Sequence, residues 1–272
     1  MHTIDPAADL KLVAVDMDGT FLDGSGAIPQ EAWQVIADLQ ERGVHFVPAS
    51  GRQFATLSEQ FARLGELSII AENGTVVMRG DTEVYSNIID RQPVQTVINA
   101  VRAQGELDAG LVLCGRRTAY VERADEKFAR AVAPYYRAVK VVDDLQEVAD
   151  DVIKMAVNVG TGQVKELAAV LDVELQVVIS GSHWVDAMNH GVHKGLALGR
   201  LQQSLGISAE ETAVFGDYPN DLEMMGQARY SFAMANAHPL VAEAANFTAP
   251  ANTEHGVLQV LRAYLEGRTT LN

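Results

Sequence analysis

Cysteine is nearly absent: Cys114 alone occurs in 272 residues. That excludes an intrachain disulfide framework and a cysteine-based zinc cluster, and a lone free cysteine is more often a packed residue than a nucleophile. Basic residues are scarce as well, 21 Lys plus Arg against 36 Asp plus Glu, for a formal net charge of -15. Such a chain offers no general surface to nucleic acid or to an anionic membrane, so an anionic substrate needs a local positive site. No apolar run approaches membrane-spanning length, and the opening MHTIDPAADLK lacks a basic segment followed by an apolar core. A cytoplasmic protein without nucleic-acid or membrane partners is expected, as a monomer or weak homo-oligomer. Repeats and low-complexity segments are also missing. What is present is 48% hydrophobic content, enough to build a real core in one large domain or two ordinary ones.

The stretch LVAVDMDGTFLD, Leu12 to Asp23, organises the reading. A β-branched apolar run beginning about Leu10 ends in Asp16 and Asp18, followed by Gly19 and Thr20, as a strand would deliver acids to its C-terminal tip. Ligands bind at the carboxyl ends of the strands in open α/β sheets. Strand alternation puts Asp16 and Asp18 on one side, where like charges repel unless protons or a hard cation such as Mg2+ intervene. Pro29 opens a helix marked by Trp33, Ile36 and Leu39 or Gln40, and Gly43 stops it. His45 to Ser50 is a second strand, with Pro48 placed near its end because proline is awkward in a fully paired strand. Phe54, Leu57, Phe61 and Leu64 carry a second helix up to Gly65, and Ser68 to Gly74 is a third strand, followed by a hairpin. Two βα units in a row predict a parallel sheet.

From about Arg91 the rhythm changes. A helical stripe at Val94, Val97, Ile98 and Val101 precedes short strands near Gly110 to Cys114 and Thr118 to Glu122, a helix from Asp125 to Tyr136, a strand near Lys154 to Val159, a helix through Leu167, and a strand near Leu175 to Ile179. This mixture reads as an α+β insert. After Asn189 the βα alternation returns: a helix from Lys194 closed by Gly206, a buried strand from Glu211 to Asp217, a helix opening at Pro219, strands in SFAMAN and NFTAP, and a closing helix through Leu265.

Three further short stretches sit at strand ends or helix starts: ASGR (Ala49 to Arg52), GVHKG (Gly191 to Gly195) and GDYPND (Gly216 to Asp221). Each has a plainer reading when taken alone: a Ser-Gly turn, a solvated lysine, a helix N-cap cluster. A lysine at a helix start is unfavourable for the dipole, which favours a functional reason for it. Thr20 and Phe21 stand where an EF-hand loop would need a liganding Asx and a turn glycine, which dismisses that rival.

DxDGT together with these three stretches, in this order, resembles the motif set of the haloacid dehalogenase-like superfamily. The position of the insert, after the third strand, resembles the group with a large Cof-type α+β cap, which includes many sugar-phosphate phosphatases. The resemblance implies a doubly wound, mainly parallel Rossmann-like α/β core over 1–83 and 189–272, with a cap over 84–188 that sets specificity. It implies Asp16 as nucleophile forming an aspartyl-phosphate and Asp18 as general acid and then base. Ser50 and Lys194 hold the phosphoryl group, with Gly51, Arg52 and Asn220 as further phosphate contacts and Asn73 in the ENG stretch as another. Mg2+ falls to the side chains of Asp16 and Asp217, the Asp18 carbonyl and, directly or through water, Asp221. In the insert, Asp186 is a further candidate contact, and Trp184 is as much a packing residue as a stacking one. The implied activity is Mg2+-dependent hydrolysis of a small phosphorylated metabolite, sugar phosphates ahead of nucleotides. A phosphomutase using the same aspartyl-phosphate and a non-catalytic phospho-ligand-binding regulator are the rivals.

Overall fold

Every residue of the first strand, β1 (Leu12–Asp16), is buried, so both faces of its sheet must be covered. The computed structural model describes residues 3–271 apart from 106, 161, 172, 173 and 181. After β1 a single distorted turn, Met17–Phe21, leads to α1 (Ala32–Glu41), β2 (His45–Ala49), α2 (Phe54–Gln60), β3 (Ser68–Ala71), β4 (Val76–Arg79) and β5 (Thr82–Ser86). The middle of the chain holds α3 (Arg91–Arg102), β6 (Gly110–Gly115), β7 (Ala119–Val121), α4 (Glu126–Val132), β8 (Val139–Val141), β9 (Val152–Asn158), α5 (Val164–Leu171), β10 (Gln176–Ile179) and β11 (Trp184–Met188). The chain closes with α6 (Lys194–Leu205), β12 (Thr212–Gly216), α7 (Leu222–Met225), β13 (Tyr230–Met234), α8 (Pro239–Ala244), β14 (Phe247–Ala249) and α9 (Gly256–Leu265).

Two units result. One takes the chain up to Ser50, then Phe61–Tyr85, then His193 onward; the other takes Gly51–Gln60 and Ser86–Val192. The segment carrying α2 therefore belongs with the middle of the chain and not with the sheet it follows. Its hydrogen bonds say why: Gln53 N donates to Tyr135 O and Arg137 N to Thr56 Oγ1, both at 3.0 Å, while Gln53 Oε1 accepts from Ala138 N at 2.8 Å.

The first unit is an eight-stranded sheet in the order β14-β13-β12-β1-β2-β3-β4-β5. Six strands, from β14 across to β3, are parallel, and β4 runs antiparallel beside β3. From β1 the chain moves one way to β2 and later the other way to β12, so the strand order reverses at β1, the crevice position where open α/β sheets take ligands. The α/β class and doubly wound core agree with the sequence reading. Leu12 and Ala14 of β1 cluster with Ala197, Leu198 and Leu201 of α6 and Met224 and Met225 of α7. α1 and α9 pack against each other, and Phe21, Phe46 and Phe61 form an aromatic cluster with ring centroids 5.2–6.2 Å apart. Pro48 is tolerated inside the sheet because the β2–β3 ladder begins only at Ala49–Ile70.

The second unit has a six-stranded sheet in the order β10-β11-β9-β6-β7-β8, antiparallel except for the β7–β8 pair. One face, with Leu111, Leu113, Met155, Val157, Val185 and Ala187, packs under Val94, Val97, Ile98 and Val101 of α3 and Leu167 and Leu171 of α5. β8 and β11 are absent from the sequence reading. β8 is a three-residue exposed strand with no periodicity to detect, and in β11 the buried Asp186 breaks an otherwise apolar run.

Candidate active site

By alternation Asp16 shares a side of β1 with Leu12 and Ala14, and that is the side α6 covers. Lys194 is the first residue of α6. Its Nζ donates to Asp16 Oδ1 at 2.5 Å and to Asp221 Oδ1 at 2.7 Å, with no exposed surface. The cost of a cation at a helix start is met by these two carboxylates. His193 caps the helix by accepting from Leu196 N at 3.0 Å.

Asp221 is occupied on both oxygens. Besides Lys194 it accepts from the main-chain N–H groups of Asp217 and Tyr218, at 3.0 and 3.2 Å, and so fixes the turn after β12. Asp217, at the end of that strand, accepts from Thr20 Oγ1 at 3.0 Å. Gly19 makes this approach possible: its φ is +82°, and a Cβ there would lie 2.3 Å from Asp217 Oδ2. Asp18 is exposed beside it. Thr20 and Gly19 are thus positioning residues that the motif string contained but the sequence reading gave no task.

Ser50 is buried one residue past Ala49, the register partner of Asp16. Its carbonyl accepts from Asn73 N at 3.0 Å, and Asn73 Oδ1 accepts from Asn220 Nδ2 at 3.2 Å. Glu72, Asn73 and Gly74 all have positive φ, 51°, 59° and 93°, a strained run held because Gly74 lies directly against the His193 main chain. Strain of this kind is concentrated at functional sites. The first unit therefore brings together Asp16, Asp18, Ser50, Asn73, Lys194, Asp217, Asn220 and Asp221. Gly51 and Arg52 belong to the second unit, where Arg52 Nη1 donates to Pro134 O at 3.4 Å and the guanidinium lies 5.6 Å from the Tyr135 ring centre.

Charge at the site is out of balance. Burial, and then the charges of Asp221 and Asp217, push the Asp16 carboxyl well above the usual carboxylate range against the pull of Lys194. Burial and Asp221 push Asp217 up to about 6. Lys194 is held above the ordinary lysine value: burial opposes its charge, but Asp16 and Asp221 outweigh burial. Carboxylate oxygens of Asp16, Asp217 and Asp221 lie within 4.8 Å of one another and could hold a metal ion. An all-oxygen donor set with surplus negative charge suits a hard divalent cation.

A strand-end aspartate clamped to a helix-start lysine at the reversal of a doubly wound sheet defines a class, and sequence comparison gives the same one. The haloacid dehalogenase-like hydrolase family matches residues 13–261, and the chain belongs to it. Among curated relatives, the 5-amino-6-(5-phospho-D-ribitylamino)uracil phosphatase YbjI of Escherichia coli (strain K12) is 31% identical over 264 residues, covering 94% of this chain and 97% of that protein. Among solved structures, a Streptococcus mutans UA159 protein superposes with TM-score 0.84 at 29% identity, covering 94% of this chain and 99% of its own. A subclass IIB sugar phosphatase of the same superfamily shares the fold with TM-score 0.78 at 21% identity, over 93% and 98% of the two chains.

Proposed function

We propose that the protein is a Mg2+-dependent phosphomonoester hydrolase that works through an aspartyl-phosphate on a small phosphorylated metabolite. The observation that carries this reading is Lys194, buried between Asp16 and Asp221 and against the Asp217 cluster. Phosphoryl transfer asks for an in-line nucleophile and for charge stabilisation around the phosphoryl oxygens. Asp16 supplies the nucleophile: its carboxylate attacks phosphorus, the ester P–O bond breaks, and the alcohol leaves. Asp18, exposed at the mouth of the loop, gives that alcohol its proton and then takes one from the water that hydrolyses the acyl phosphate. Lys194 and Ser50 hold phosphoryl oxygens, with Asn220 and Asn73 beside them. Mg2+ would be held by the Asp16 and Asp217 side chains and the Asp18 carbonyl, and would neutralise phosphoryl charge. Asp221, whose oxygens already serve Lys194 and two main-chain N–H groups, orients that lysine and supports the metal from behind.

The middle of the chain acts as the cap that selects the leaving group. The first substrate to test is 5-amino-6-(5-phospho-D-ribitylamino)uracil, on the strength of 31% identity to the Escherichia coli phosphatase named for it, and simple sugar phosphates come next. The experiment is a phosphate-release screen over such a panel with Mg2+, using Asp16→Asn as control. The wild type should release phosphate from at least one substrate and the variant from none. A variant as active as the wild type, or a wild type silent on every compound, would sink the proposal, and formation of an isomeric phosphate faster than inorganic phosphate would point to a mutase instead.

A further inference from the structure

The turn that carries Asp18 has no regular geometry of its own. Within Met17–Phe21, closed by Leu22 N donating to Met17 O at 2.9 Å, Asp18 is extended with ψ at 118° and Gly19 is left-handed with φ at +82°. A repeating helical ladder does not set these peptide planes, so the direction of the exposed Asp18 carboxyl depends on what grips the turn from outside. Thr20 ties it to Asp217. Two asparagines, Asn236 and Asn252, grip it as well.

Asn236 follows β13 and Asn252 follows β14. Both strands run parallel to β1 in the sheet of the first unit, so the loops after them open on the edge where Asp16 stands. Asn236 Nδ2 donates to Gly19 O at 2.8 Å, and its Oδ1 accepts from Asn252 N at 3.1 Å. Asn252 Nδ2 donates to Leu22 O at 2.9 Å. The loop of Asn236 also braces Asp217, whose main-chain carbonyl accepts from His238 N at 2.8 Å. The carbonyls of Gly19 and Leu22, on either side of Thr20 and Phe21, are thereby strapped to the two loops. An asparagine that served only its own turn would bond its neighbouring main chain. Asn236 instead gives its donor and its acceptor, both on one planar amide, to segments outside its loop, and Gly19 lies 217 positions away. That pattern points to the Asp18 turn as the thing being held. Placement matters there, because a misplacement of about 1 Å can cost a catalytic group roughly 10²-fold.

Resting on the phosphatase reading above, we propose that Asn236 and Asn252 are positioning residues for general acid catalysis: by fixing the Gly19 and Leu22 carbonyls they hold the Asp18 carboxyl where the departing alcohol takes its proton. The test compares two esters in the full-length Mg2+-loaded enzyme: ribitol 5-phosphate, whose alkoxide leaves only with a proton, and 4-nitrophenyl phosphate, whose phenolate leaves without one. Asn236→Ala removes the amide, and Asn236→Asp keeps its shape and acceptor but loses the donor. In both, the kcat/KM ratio of the first ester to the second should fall about tenfold, a share of the roughly 10²–10⁴-fold that general acid catalysis supplies. Asn252→Ala should shift it in the same direction. Loss of folded protein cancels from that ratio. In an Asp18→Asn background the Asn236 substitutions should leave the ratio where Asp18→Asn alone puts it, since the group they position is gone. An unchanged ratio in the single variants, or an equal further fall without Asp18, would overturn the assignment. Amide hydrogen exchange over residues 17–23 needs no turnover: it should quicken about fivefold or more in both Ala variants, and unchanged exchange refutes the strap. A wild type that hydrolyses neither ester would defeat the phosphatase reading, and the exchange result would still decide the strap by itself.

Discussion

Lys194→Met removes the cation from the centre of the site while keeping its length and volume. In the wild type Nζ is fully buried and bonds to Asp16 and Asp221 at 2.5 and 2.7 Å, and Asp217 lies in the same cluster. Breaking a buried ion pair by deleting one partner costs about 3–5 kcal/mol, because the remaining charge is left without compensation. For a protein of this size that corresponds to a drop of roughly 6–20 °C in melting temperature. The pH dependence carries a sign. The Asp16 carboxyl already sits above its ordinary value because of burial and the neighbouring acids, with Lys194 pulling it down. Without Lys194 it rises further, so the folded state keeps a proton that the unfolded chain has lost above about pH 4. Stability then falls as pH climbs from there toward the folded-state pKa. The variant's deficit should be small near pH 4–5 and greatest at pH 7–8. Urea unfolding in EDTA across that range measures it, and added Mg2+ should recover part of the loss, since a ligand that binds only the folded state stabilises it. A deficit below about 1 kcal/mol, against the 3–5 expected for a buried pair, or one that does not vary with pH, would refute the electrostatic account of the site.

Asp18→Asn separates proton transfer from attack. General acid catalysis contributes about 10²–10⁴-fold, so kcat/KM, which reports the step in which the alcohol leaves, should fall in that range for alkyl phosphates and much less for phenyl phosphate, whose leaving group needs less protonation; equal losses of kcat/KM on both would remove the acid role. Gly74→Ala puts a Cβ 2.5 Å from His193 O at a backbone φ of +93°. It should cost more than about 2 kcal/mol in thermal or urea unfolding and lower phosphate release, and a variant as stable as the wild type would show that the ENG turn is free to move.

Much of the first unit was legible because its signals are local. Buried parallel strands announce themselves as apolar runs followed by polar residues: β1 ends in Asp16, and β12 ends at Gly216, directly before Asp217. Gly206, in the left-handed region, closes α6 where the sequence placed its end. Less of the second unit could be read, since its short strands owe their existence to partners elsewhere in the chain: β8 runs parallel to β7 at the sheet edge, and β11 is held between β10 and β9.

The sequence by itself determined the fold class, the strand-tip acids and the order of the four motifs, because alternation, turn chemistry and motif spacing are properties of neighbouring residues. Tertiary structure alone decided the partners. Lys194 stands 178 positions from Asp16, and only the packing of α6 on the even face of β1 brings the two together. The same holds for Thr20 on Asp217, for the three donors that occupy Asp221, and for the transfer of Gly51–Gln60 to the second unit. Lys154 is the plainest case. In the chain it is one more lysine in a strand, and only sheet pairing buries it beside Asp186. Charge, burial and partner are joint properties of residues that the backbone must first assemble.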